Sequence, residues 1–190
     1  MNDWNLSPLM IYPGTPPGAS RCVVEAALRR QPMGFDLHFM LKNARDGVVI
    51  PAATLPQRRD GLWQSTCAEV FLAPVDGCEY MEFNASPSGE WALYHFADYR
   101  APAPTLTAEM PLIQVEWDGA DLHVSAQLEM SDWPLPWLRG ELRAGLSAVL
   151  ELADGTRVYH ALAHPRDVPD FHDARGWCAG LAAVDRGQQT

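Results

Sequence analysis

The chain has 190 residues, 47% hydrophobic and 20% charged, which suits one domain with a sizeable core spanning residues 1–190. Fourteen basic against 24 acidic residues leave a net charge of −10, a surface that repels phosphate backbones and argues against a nucleic-acid partner. The N-terminus MNDWNLSPLMIYPG lacks a signal-peptide pattern, and no stretch approaches the roughly 20 apolar residues of a membrane helix, so no membrane partner and a cytoplasmic location are expected.

Sixteen prolines and 14 glycines break the chain too often for long helices and leave short, evenly spaced strand candidates. Residues 21–30 alternate only in part. Residues 34–42 alternate well, with Phe35, Leu37, Phe39 and Leu41 on one face and Asp36, His38 and Met40 on the other. A connection without periodicity follows from Asn43 to Gly61, and loops of that length are often functional. In LWQSTCAEVFLAP (62–74), Ala68, Val70 and Leu72 form one stripe while Cys67, Glu69 and Phe71 form the other. Glu69 is thus a carboxylate in an otherwise apolar strand.

The stretch Glu79 to Arg100 reads as two strands around the turn Ser86-Pro87-Ser88-Gly89, where proline presets φ and glycine supplies a positive one. Glu82, Asn84 and Ser86 share one face, opposite Met81, Phe83 and Ala85. The second strand sets Trp91, Leu93 and His95 against Ala92, Tyr94 and Phe96. A Pro-Ala linker leads to a hairpin turned at Asp118-Gly119. Ser131-Asp132-Trp133-Pro134 is placed to cap a short helix near Trp137 to Leu142. A last hairpin turns at Asp154-Gly155, the segment beyond residue 164 is irregular, and DRGQQT should fray. These signals predict about eight to ten strands in two antiparallel sheets packed face to face, an all-β sandwich with one short helix. One sheet would keep an open outer face carrying the polar and aromatic set.

The four cysteines, Cys22, Cys67, Cys78 and Cys178, form no CxxC pair and read as free thiols, with Cys67 and Cys78 as a conceivable cross-hairpin pair. Six histidines show no HxH or HExxH spacing, so no metal site is predicted. A carboxylate among aromatic groups is poor core material but suits a sugar, whose ring faces are apolar and whose edges carry hydroxyls.

The segments DGLWQSTCAEVFL, YMEFNASPSGEWALYHFADYR and HPRDVPDFH together resemble a bacterial DOMON-like family related to family 9 carbohydrate-binding modules. They cover about a quarter of the chain. The resemblance implies a β-sandwich of jelly-roll type whose usual business is ligand binding. In family 9 modules a tryptophan six residues before a strand glutamate stacks on a terminal sugar, and Trp63 and Glu69 have that spacing. For the second aromatic group, near the C-terminus, this chain offers Phe171, His172 and Trp177.

The expected function is therefore non-catalytic carbohydrate binding. Trp63, with Trp91 or Phe171, would stack on the sugar. Glu69, Glu82, Asn84 and Asp170 would hold its hydroxyls, with His172 donating. Arg100 would orient the glutamates or meet an anionic group. The bland readings are Trp63 plugging the sandwich end and the two glutamates paired with Arg58, Arg59 or Arg100. Three alternatives stand beside this one. Glu69 and Glu82 could form a glycoside-hydrolase pair. Met40 or Met81 with His160 or His95 could ligate haem, as in cytochrome members of the wider superfamily. The open sheet face could dock another protein.

Overall fold

The structure is a computed structural model and describes residues 4–104, 109–130 and 132–184. Ser131, part of the expected helix cap, and the tail expected to fray lie outside the described residues. The first sheet contains β1 (Ser7–Pro8), β3 (Val23–Gln31), β4 (Gly34–Lys42), β10 (Asp121–Glu129) and β9 (Leu112–Asp118), in that spatial order. The second runs β2 (Met10–Ile11), β12 (Arg157–Ala161), β11 (Leu142–Glu151), β5 (Cys67–Pro74), β6 (Tyr80–Ala85), β7 (Trp91–Asp98) and β8 (Ala101–Pro102), with β13 (Ala179–Leu181) also pairing β11. All sheet pairings are antiparallel, and the fold is a β-sandwich of jelly-roll type. Thirteen strands among the described residues exceed the expected number because three two-residue pieces and one three-residue piece carry too little sequence to show a period.

Period-two alternation builds the core. Phe35, Leu37, Phe39 and Leu41 of β4 face Ala68, Val70 and Leu72 of β5, Met81 and Phe83 of β6, and Trp91 and Leu93 of β7 in one cluster between the sheets. The hairpin turns fall where the sequence puts them: Gly89, Gly119 and Gly155 take φ of 90°, 61° and 84°. Cys67 sits at the far end of its hairpin from Cys78, and all four cysteines are free. The helix α1 spans Leu135–Arg139, earlier than expected. Gly140 ends it, and Leu142 opens β11, which is held between β5 and β12. Cross-strand pairing thus claims a residue that the capping signal had placed in the helix.

Two irregular segments matter most, because they cover the outer face of the second sheet. The first is the connection 43–61. Buried Glu90 accepts from Arg59 and Gln57, Trp91 N–H donates to the Gln57 carbonyl, and Arg59 N–H donates to the Trp91 carbonyl. The connection therefore lies along the start of β7. The second is the segment 164–178. Trp177 stacks on Phe71 of β5, with ring centroids 5.9 Å apart, and its Nε1–H donates to the Phe171 carbonyl at 2.9 Å.

Gly145 of β11 makes this docking possible. A Cβ there would collide with the Trp177 indole ring. Gly145→Ala should displace Trp177 and cost about 1–3 kcal/mol, read as a lowered denaturant midpoint, with increased proteolytic cutting within residues 164–178.

Candidate functional site

The outer face of the second sheet carries the residues that the core rejected. The register aligns Ser147 of β11, Glu69 of β5 and Asn84 of β6 in one row. The adjoining row holds Phe71, Glu82 and Tyr94. Glu69 and Glu82 are diagonal neighbours on adjacent strands, a relation that puts Cα atoms roughly 7–8 Å apart. They share the floor of a cavity of about 630 Å³. Tyr94 and Phe96 of β7, and Val149 and Tyr159 of β11 and β12, also line it. The connection 43–61 contributes Asp60 and Gly61, the C-terminal segment contributes Phe171 and His172, and Arg100 follows β7.

Trp63 stands at the cavity on a single 3-10 turn, Leu62–Gln64, whose preceding Gly61 has φ 78°. Leu62 packs inward with Cys67 and Ala92, which leaves the neighbouring indole 50% exposed. Trp63 therefore does not plug the sandwich.

The sequence-predicted set divides in two. Trp63, Glu69, Glu82, Arg100, Phe171 and His172 converge on the cavity. Trp91 faces the other way, into the core. Asn84 is fully buried beside the cavity and donates to Glu82 Oε1 at 2.8 Å. Asp170 is occupied by its own partners: it accepts from Tyr99 at 2.7 Å and from Arg100 at 2.9 Å, and pairs with Arg166 at 3.4 Å. Tyr94, Phe96 and Tyr159 were not singled out as site residues, although the outward phase of Tyr94 and Phe96 was legible. Trp177 belongs to a second apolar cluster, so the C-terminal ring at the cavity is Phe171.

The arginines expected near the glutamates bond elsewhere. Arg58 pairs with Asp60, Arg59 with Glu90 and Arg100 with Asp170. Glu69 is 3% exposed and its Oε1 has no hydrogen-bond partner among the described residues. Glu82 is 5% exposed, with Oε2 3.5 Å from His172 Nε2. Burial pushes both carboxyls above the ordinary carboxylate range; Glu82 raises Glu69 further, and Arg100 opposes the shift in both. His172 is held down to about 4 by burial and by Arg100, so it is neutral near neutral pH and its Nδ1 pairs with the Tyr80 hydroxyl at 2.7 Å.

Met81 and His95, considered for haem, are cross-strand neighbours of β6 and β7, but none of the residues considered for haem lies at this cavity. Met81 is in the core, Met40 is on β4 of the other sheet, and neither they nor His95 nor His160 lines this cavity. The described residues include no group of three or more His, Cys, Asp or Glu placed to hold a metal ion.

Comparison with solved structures finds the same fold at low identity. A candidate carbohydrate-binding protein from Bacteroides uniformis matches with a TM-score of 0.69 and 14% identity, over 94% of this chain and 85% of that one. A family 9 carbohydrate-binding module from Caldicellulosiruptor kristjanssonii, in complex with cellotriose, matches with a TM-score of 0.53 and 11% identity, over 84% of this chain and 73% of that one. Its complex with glucose matches with the same score and identity, over 84% and 74%. No protein-family model and no curated protein matches the sequence.

The raised carboxyls have a measurable consequence. Between the unfolded value near 4.5 and the higher folded value, the native state keeps a proton that the unfolded chain has released. Stability from this source is complete below the unfolded value and is lost as pH rises through the folded one. His160 and His172 act oppositely, but only between about 4 and 6.5. Glu69→Gln should therefore gain stability relative to the parent as pH rises above the ordinary carboxylate range into the neutral range, with a slope of at most about 1.4 kcal/mol per pH unit. Paired denaturant titrations across that range would show it, and parallel curves would refute it.

Proposed function

We propose that the chain is a non-catalytic carbohydrate-binding module of the family 9 type, akin to DOMON-like domains, that takes a small sugar or the end of a short chain. The observation that carries this reading is the half-exposed Trp63 beside a cavity floored by Glu69 and Glu82. The indole offers an apolar plate to a sugar ring face, Tyr94, Phe96, Tyr159 and Phe171 offer further apolar wall, and the carboxyl oxygens meet hydroxyls at the ring edge. The fold shared with modules crystallised with cellotriose and glucose supports the same reading.

The arrangement of the acids favours binding over hydrolysis. Glycoside hydrolysis needs an acid and a base or nucleophile flanking the scissile bond. Glu69 and Glu82 lie side by side on one sheet floor, and thus on one side of anything seated above them. The face also offers a walled cavity, which suits a small ligand better than a flat protein partner.

Affinity should be modest, since each exchanged hydroxyl bond gains only about 1 kcal/mol. Titration with mono- and disaccharides should change the tryptophan fluorescence, and Trp63→Ala should weaken binding by about tenfold or more, near 1.4 kcal/mol. No response to any sugar, or an unaffected Trp63→Ala variant, would overturn the proposal.

A further inference from the structure

The charges around the cavity do not balance. Asp60, Glu69 and Glu82 line it against Arg100, the one guanidinium or ammonium in its lining among the described residues. Arg100 is bonded to Asp170, which lies behind it. Asp60 is matched by Arg58 at 2.9 Å and by the Tyr94 hydroxyl at 3.0 Å, outside the floor. His172 is neutral and already paired with Tyr80. The two floor carboxyls are therefore left without a committed cation, and the buried Oε1 of Glu69 has no hydrogen-bond partner among the described residues.

A neutral sugar does not repair this. Hydroxyls donate hydrogen bonds but carry no charge, so they do not offset the burial that keeps these carboxyls from ionising. A primary ammonium repairs it directly, since its positive charge favours the ionised form of the carboxyls and its three donors meet the oxygens that ionisation frees. The rest of the lining is also suited to a cation. Trp63, Tyr94, Phe96, Tyr159 and Phe171 present aromatic rings around the floor, and ring faces attract ammonium groups. The protein's net charge of −10 favours the approach of a cation.

We propose that the cavity selects a sugar bearing a free amino group, with the ammonium seated between Glu69 and Glu82 and the sugar ring against Trp63. This inference rests on the carbohydrate reading above and narrows it to a ligand class. Acetylating the amine removes both its charge and two of its donors, so the N-acetyl sugar loses the advantage.

The test is calorimetric titration of the full chain near neutral pH with glucosamine, glucose and N-acetylglucosamine. Glucosamine should bind at least about tenfold more tightly than either of the others, a gap of about 1.4 kcal/mol. The gap should narrow at high salt, because it is a charge effect. In Glu69→Gln and Glu82→Gln, glucosamine should fall towards the affinity of glucose. Glucose or N-acetylglucosamine binding as well as glucosamine would overturn this inference and leave the carbohydrate reading standing. Failure of all three, with no response to the wider sugar panel, would overturn both. Because the three-sugar comparison uses the parent protein, it decides the matter even if the variants fold poorly.

Discussion

One carboxylate ties the cavity together. Asp170 accepts from Arg100, which follows β7, and 70 positions separate the two residues. It also accepts from Tyr99 and pairs with Arg166, which in turn meets Asp173. Several partly exposed cations around nearly buried carboxylates form a network rather than an isolated surface pair, the arrangement in which ion pairs contribute most reliably. Asp170 and Asp173 are held below the ordinary carboxylate range by these hydrogen bonds, so both remain charged across the neutral range. The network pins the C-terminal segment onto the second sheet, and Trp177 packs the same segment against Phe71. Without that attachment the outer sheet face would lack the wall formed by Phe171 and His172.

The two glutamates follow a different logic. They sit where cross-strand register leaves them, on a face that the two covering segments have partly closed. Closure raises the cost of charging them and concentrates their effect on anything that enters. The row through Ser147, Glu69 and Asn84 contains three buried oxygens without hydrogen-bond partners among the described residues, Ser147 Oγ, Glu69 Oε1 and Asn84 Oδ1. Buried polar groups are usually satisfied. A concentration of exceptions next to a cavity is what the proposed binding role would leave, with acceptors kept available at a cost in stability.

The aromatic residues show the same division of labour. Trp177 and Tyr80 are structural: they pack with Phe71, and Tyr80 positions His172 and accepts from the backbone N–H of Arg100. Trp91 and Trp137 fill the core. Trp63 is left exposed because Leu62 takes the inward position on a turn only three residues long. Seven tryptophans are thus not seven candidates for a ligand platform, and composition could not tell them apart.

Local patterns in the chain specify the sandwich. Alternation in Phe35 to Leu41 and in Ala68 to Leu72 dictated which faces meet, and the Asp-Gly and Ser-Pro-Ser-Gly turns dictated where strands reverse, because side-chain phase and positive φ are local properties. The sequence also marked Glu69 and Glu82 as carboxylates on an outward phase. It could not assign Trp91 to the core ahead of Trp63, since both stand at chain positions compatible with either role. Nor could it show that Asp170 is consumed by Arg100, Arg166 and Tyr99. Those outcomes depend on segments far apart in the chain arriving at one place, and no period or turn signal encodes which partner a charge will find. Tertiary packing made that choice, and with it decided which of the polar groups remain free to meet a ligand.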